Sequence, residues 1–171
     1  YAPVSTVTSA SAIAPVPRFA DTSSAKNVLT ISQCVSTLLF PFVSNQGGFN
    51  TGMVISNTSK DPFGTGNESG TCTVYYYGDT NGGAAPPEQT SGVVPSGDYL
   101  AWDLLSGGKF GVTPTPGFQG YVIARCKFRW AHGYAFISDT SMARVANGYL
   151  ALILDQANNT RFTNVGETLG N

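Results

Sequence analysis

Charge is scarce in this chain. Nine Lys and Arg and ten Asp and Glu make up 11% of the 171 residues, against about 25% in an average soluble domain. With a net charge of -1, there is no overall pull toward nucleic acid or an anionic membrane. His132 is the one histidine, and Cys34, Cys72 and Cys126 include no Cys-x-x-Cys pair. The four close ligands of a structural zinc site are therefore lacking. No apolar run reaches the ~18 residues of a membrane-crossing helix, so no membrane span is expected. A sustained 3.6-residue period is missing too, which excludes helical bundles, and residues 141–146 have room for one helical turn. No Gly-x-Ser-x-Gly elbow presents a nucleophile. His132 with Ser138 or Ser141 and Asp139 offers the residue types of a triad, but such residues occur by chance in any chain of this kind. The chain reads as no enzyme, with no cofactor, no metal and no nucleic-acid partner.

Hydrophobic residues, by contrast, make up 42%, and Ser, Thr, Asn and Gln must carry solubility. That habit suits an extracellular β-protein. A chain of 171 residues suits one well-buried domain and is short for two. The first residue is Tyr1 rather than Met, which fits a cleaved leader or a trimmed chain equally.

The apolar residues fall in short runs separated by turn-forming clusters, as successive β-strands do. In residues 28–43, Leu29, Ile31 and Val35 share one parity while Cys34, Leu38 and Phe40 share the other, so a break or bulge is expected near Cys34. Pro41 lacks an N–H and requires an edge strand or a bulge. Asn45-Gln46-Gly47-Gly48 tolerates positive φ and permits a tight reversal. Residues 50–58, 71–78 and 97–105 read as further strands. The clearest alternation spans 121–130, with Val122, Ala124, Cys126, Phe128 and Trp130 inward and Tyr121, Ile123, Arg125, Lys127 and Arg129 outward. Residues 134–138 and 148–154 complete the set, and 60–70, 79–96 and 106–117 are loops. About seven short strands imply a single antiparallel β-sandwich of Ig-like kind, with a barrel as the alternative closure.

Two segments follow: an extended amino-terminal arm over 1–27 and the sandwich over 28–171. The arm is uncharged through Pro17, and Pro3, Pro15 and Pro17 exclude a regular helix. Cys72 and Cys126 both take the inward parity of strands expected to pair, so they are the expected disulfide, with Cys34 left over. Buried free thiols are the competing reading.

Other features have bland explanations beside sharper ones. Arg125, Lys127 and Arg129 form a basic stripe, read as a solvated strand face or as a surface for an acidic neighbouring subunit. Tyr75, Tyr76 and Tyr77 offer a sugar-stacking platform or ordinary cross-strand packing. Asp79-Thr80-Asn81-Gly82-Gly83 begins like a calcium loop but lacks the later oxygen ligands, and a turn explains it. Asn57, Asn67 and Asn158 head glycosylation sequons.

Phe40-Pro41-Phe42-Val43, Asn45-Gln46-Gly47-Gly48-Phe49, Thr51-Gly52 and Ile55-Ser56-Asn57 resemble a β-sandwich module of uncharacterised secreted and cell-surface bacterial proteins. Phe118-Gln119-Gly120-Tyr121 and His132-Gly133-Tyr134-Ala135-Phe136 look like its continuation. The likeness covers roughly 34–154 and implies fold and an extracellular setting; it carries no catalytic residue.

The resulting expectation is an extracellular structural subunit of a filament or pilus-like surface assembly. Copies join as a homopolymer when the arm is donated as an extra strand, with Val4, Val7, Ile13 and Val16 as plugs. The alternative is a monomeric adhesion module of a larger secreted protein that binds surface glycans through Tyr99, Trp102 and Phe110.

Overall fold

The computed structural model describes residues 35–141 and 143–154, together with the backbone of 156–157 and 160–161. The arm with Val4, Val7, Ile13 and Val16, the boundary expected at 27/28, Cys34 and the sequon at Asn158 lie outside the described residues.

Apolar side chains at every second position, interrupted by Gly, Pro, Asn and Asp, dictate strands. In chain order these are β1 (Ser36–Ser44), β2 (Phe49–Asn57), β3 (Cys72–Thr80), β4 (Gly83–Ala84), β5 (Gln89–Thr90), β6 (Tyr99–Asp103) and β7 (Gly107–Gly108). There follow β8 (Phe118–Cys126), β9 (Ala131–Asp139), β10 (Ala146–Leu150), β11 (Leu152–Ile153), β12 (Gln156–Ala157) and β13 (Thr160–Arg161). Among the described residues the sole helical element is one 3-10 turn, Lys109–Gly111, and no helix is long and apolar enough to cross a membrane.

Two antiparallel sheets result. One runs β11-β1-β8-β3, with β4 and β5 both pairing with β3; the other runs β10-β9-β2-β6-β7. Leu38, Phe40, Val74, Val122 and Ala124 from the first face Met53, Ile55, Leu100, Trp102 and Ala135 from the second in one buried core. Phe40 meets Trp102 edge to face with ring centres 6.2 Å apart, the geometry that aromatic quadrupoles favour. The architecture is sandwich-like and all-β.

The chain passes between the sheets at sharp corners. From β1 to β2 it turns through Gly47 and Gly48, whose φ values of 61° and 82° suit residues without a Cβ. Thr51 clamps that corner: its Oγ1 donates to Ser44 O and accepts from Ser44 N–H, both at 2.9 Å. Residues 148–154, expected as one strand, are divided. β10 lies in the second sheet and β11 in the first, and the chain crosses at Ala151, whose N–H donates to Gly133 O.

Four other expectations are corrected. The bulge in β1 is at Pro41 and Phe42, which together oppose Tyr121 alone while Phe40 pairs with Val122 and Val43 with Gly120. Proline cannot complete a ladder bond, so the irregularity settles where the N–H is missing rather than near Cys34. Trp130 is not a core residue but 42% exposed. β8 ends at Cys126 and the chain bends over 127–129 toward the other sheet, so parity carries inward burial as far as Phe128 and no further. Residues 139–145 form no helical turn: the Asp139 carboxylate gathers Ser141 Oγ and the N–H groups of Ala143, Arg144 and Val145 into a loop. Finally, the segment read as a plain loop over 79–96 contributes β4 and β5 to the first sheet.

Candidate functional site

Edge strands are where sheet proteins meet other chains, because one side of the strand offers N–H and C=O groups that no neighbour has taken. β10 is the outer strand of the second sheet. β9 pairs with it from Ala146↔Ser138 to Leu150↔Tyr134, and among the described residues no strand pairs with its other side. Ala146–Leu150 contains neither charge nor proline, the devices that ordinarily blunt an exposed edge.

β1, on the first sheet, is protected differently. β11 covers Leu38 and Leu39. Beyond them Pro41 offers no N–H, and the bulge leaves Phe42 49% exposed. The two edges are tied together by Tyr149 of β10, whose hydroxyl donates to the carbonyl of Phe42. Burial of its ring pushes the Tyr149 phenol up to about 12, with the hydrogen bond to Phe42 opposing that rise.

Phe42 also lines a groove of about 380 Å³, with Ser44, Gln46, Phe49, Gln119 and Ile137 around it. Both sheets contribute. Phe49 and Ile137 have the parity that buries Thr51, Met53, Gly133 and Ala135, yet each is part exposed. The polar rim is held in place: Gln46 Nε2 donates to Gly117 O at 2.8 Å and to Asp79 Oδ1 at 3.1 Å, and Ser44 Oγ donates to Gln119 Oε1 at 3.1 Å. No ionisable side chain lines the groove.

The residues proposed for glycan contact are not brought together. Trp102 is only 4% exposed and belongs to the core, which corrects that assignment. β6 alternates, so Leu100 and Trp102 point inward while Tyr99 is exposed. Tyr99 and Phe110 do share a neighbour. Lys109 Nζ lies 4.4 Å from the Tyr99 ring centre and 4.8 Å from that of Phe110, and it pairs with Asp98. The Lys109 hydrogen bond, then that from Tyr99 N–H, holds the Asp98 carboxyl below its usual range.

Elsewhere the bland explanations hold the side chains. Tyr76 is buried, and burial pushes its phenol up to about 12. Tyr77 stacks on its cross-strand partner Tyr121 at 4.9 Å. Asp79 Oδ1 accepts from Gly82 N–H at 2.7 Å, closing a turn. Arg129 pairs with Glu68 within the domain. His132 and Asp139 stand at opposite ends of β9, about 24 Å apart at the rise of a strand. Thr58 Oγ1 donates to Trp130 O and lies 3.0 Å from His132 Nδ1, so the imidazole donates from Nδ1. Asn57 is 1% exposed and its amide donates to Glu68 O and Val94 O. That nitrogen is where a glycan would attach, so the sequon at Asn57 is corrected to a structural residue. Asn67 is exposed.

Cys72 and Cys126 are directly opposed in the β3–β8 ladder and joined as a disulfide, with both residues fully buried. No family model, curated protein or solved structure matches this chain.

Sequence reasoning misses the open edge and the groove. Reading 148–154 as one strand hides the fact that β10 ends a sheet. Phe49 and Ile137 look like any inward residues until the neighbouring layer is in place.

Proposed function

We propose that this protein is an extracellular structural subunit, an Ig-like sandwich whose copies are joined when the amino-terminal arm of one molecule adds as a strand to the next. The observation that carries this reading is the uncharged, proline-free outer edge of β10. Strand addition takes its affinity from main-chain hydrogen bonds and its selectivity from alternate side chains. Each such bond contributes about 1 kcal/mol net, so a five-residue edge needs buried side chains as well. The arm supplies an uncharged partner through Pro17. A head-to-tail contact between different surfaces does not close on itself, so it propagates as a filament. The buried disulfide suits an oxidising compartment, in line with the extracellular setting, and the reading assigns no catalysis. Size-exclusion and negative-stain images of the full chain test it: polymers that disappear in Ile13→Asp with an unchanged melting temperature support it, and a parent chain that stays monomeric at all concentrations sinks it.

A second reading, a monomeric adhesion module, is favoured by one observation. Tyr134, Phe136 and Leu150 are exposed along the outer face of the second sheet. Retardation of the chain by soluble polysaccharides in affinity electrophoresis, lost in Phe136→Ala, would support it; no retardation would remove it.

A further inference from the structure

We infer that the groove of Phe42, Phe49 and Ile137 receives the arm of a neighbouring copy, with Ile13 as its central plug. This rests on the strand-donation reading above and names the acceptor for it.

Three observations converge. The groove is flanked by the open strand: Ile137 is paired with Asn147 of β10, so a strand added along β10 runs past it. Its floor is apolar although its position is not covered, since Phe49 and Ile137 carry inward parity and are part exposed. Its lining and the β10 edge carry no charge, and neither does the arm through Pro17. A charged peptide would lose hydration there with nothing to pair against.

The arm's own sequence sets the register. Residues 4–14 are free of proline and can form ladder bonds throughout. In an extended strand Val7 and Ile13 share a face, with Ser9 and Ser11 between them. Ala12 and Ala14 flank Ile13, so a single bulky side chain projects at that point, and Pro15 then ends the pairing. Pro41 prevents the same strand from laddering onto β1. The contact is thus asymmetric: main chain to β10, side chains against Phe42.

Complementation in full-length chains tests this. Ile13→Asp disables the donor and leaves the groove, and Phe42→Glu disables the groove at an exposed position and leaves the arm. Each variant alone is expected to run as a monomer with the parent's melting temperature. An equimolar mixture is expected to give dimers and no longer species, because the intact arm of one variant fills the intact groove of the other. A labelled synthetic peptide of residues 1–17 should bind Ile13→Asp at least about tenfold more tightly than a chain carrying both changes. If Phe42→Glu polymerises like the parent, the groove is not the acceptor even though strand donation stands. A mixture that stays monomeric shows that Ile13 and Phe42 do not meet. If either variant melts earlier while the parent is itself monomeric, the arm occupies its own groove, and both this inference and the reading beneath it fall.

Discussion

Tyr149 donates its phenol hydrogen to the carbonyl of Phe42, and this bond joins the edge strand of one sheet to the bulged edge strand of the other. Tyr149→Phe should therefore cost about 0.5–1.5 kcal/mol, read as a shift in the urea midpoint at constant slope. The same residue makes stability depend on alkaline pH. The Tyr149 and Tyr76 phenols are both raised from 10.0 to about 12 by burial. A raised folded value means the unfolded chain loses its protons first. The stabilisation is complete below pH 10, falls as pH rises, and is gone above about 12. In Tyr76→Phe and Tyr149→Phe together, the loss of stability across that window should shrink.

Phe128 and Trp130 should respond oppositely to truncation. Phe128 is fully buried, so Phe128→Ala should cost about 3–5 kcal/mol. Trp130 is 42% exposed, and Trp130→Ala should stay within about 1 kcal/mol. Equal losses in chemical denaturation would show that the bend after Cys126 is misplaced.

Replacing both Cys72 and Cys126 by Ala removes a cross-link that spans 54 residues. The expected loss is about 2–4 kcal/mol, measured against the parent under non-reducing conditions. Peptide mapping that linked Cys34 to either residue would contradict the pairing.

Gly78 and Gly120 oppose each other in the β3–β8 ladder. A Cβ on Gly120 would stand 2.0 Å from Tyr77 O, at a φ of 155°. Main chain cannot move aside as a side chain can, so Gly120→Ala should cost at least about 1–3 kcal/mol. Gly52→Ala, where a Cβ meets nothing within 4 Å, is the control and should be near neutral by thermal melting.

Much of the architecture is legible from alternation. Val122, Ala124 and Cys126 repeat at the period of a strand, and nothing local competes with that pattern, so the inward face of β8 is readable directly. Trp102 is equally readable: it shares parity with Leu100, and its aromatic character invites a binding role that its position denies. Trp130 is not, because parity predicts a face only while the strand continues, and what ends β8 is a departure toward the other sheet. The break between β10 and β11 is invisible for a related reason, since Tyr149, Leu150, Ala151 and Leu152 are all apolar and no turn residue marks the crossing. The groove lies further still from sequence. Phe49 and Ile137 differ from Met53 and Ala135 only in which side chains the opposite layer sets above them.

The cross-link has a mechanical consequence. A subunit drawn out by its two ends can lengthen only through chain that is free to run. The bond between Cys72 and Cys126 holds the 54 residues it spans out of that path, withholding roughly 180 Å of extended contour. Under load the oxidised domain would behave as a short tether with a hard stop, and a reduced one would yield a much longer leash before going taut.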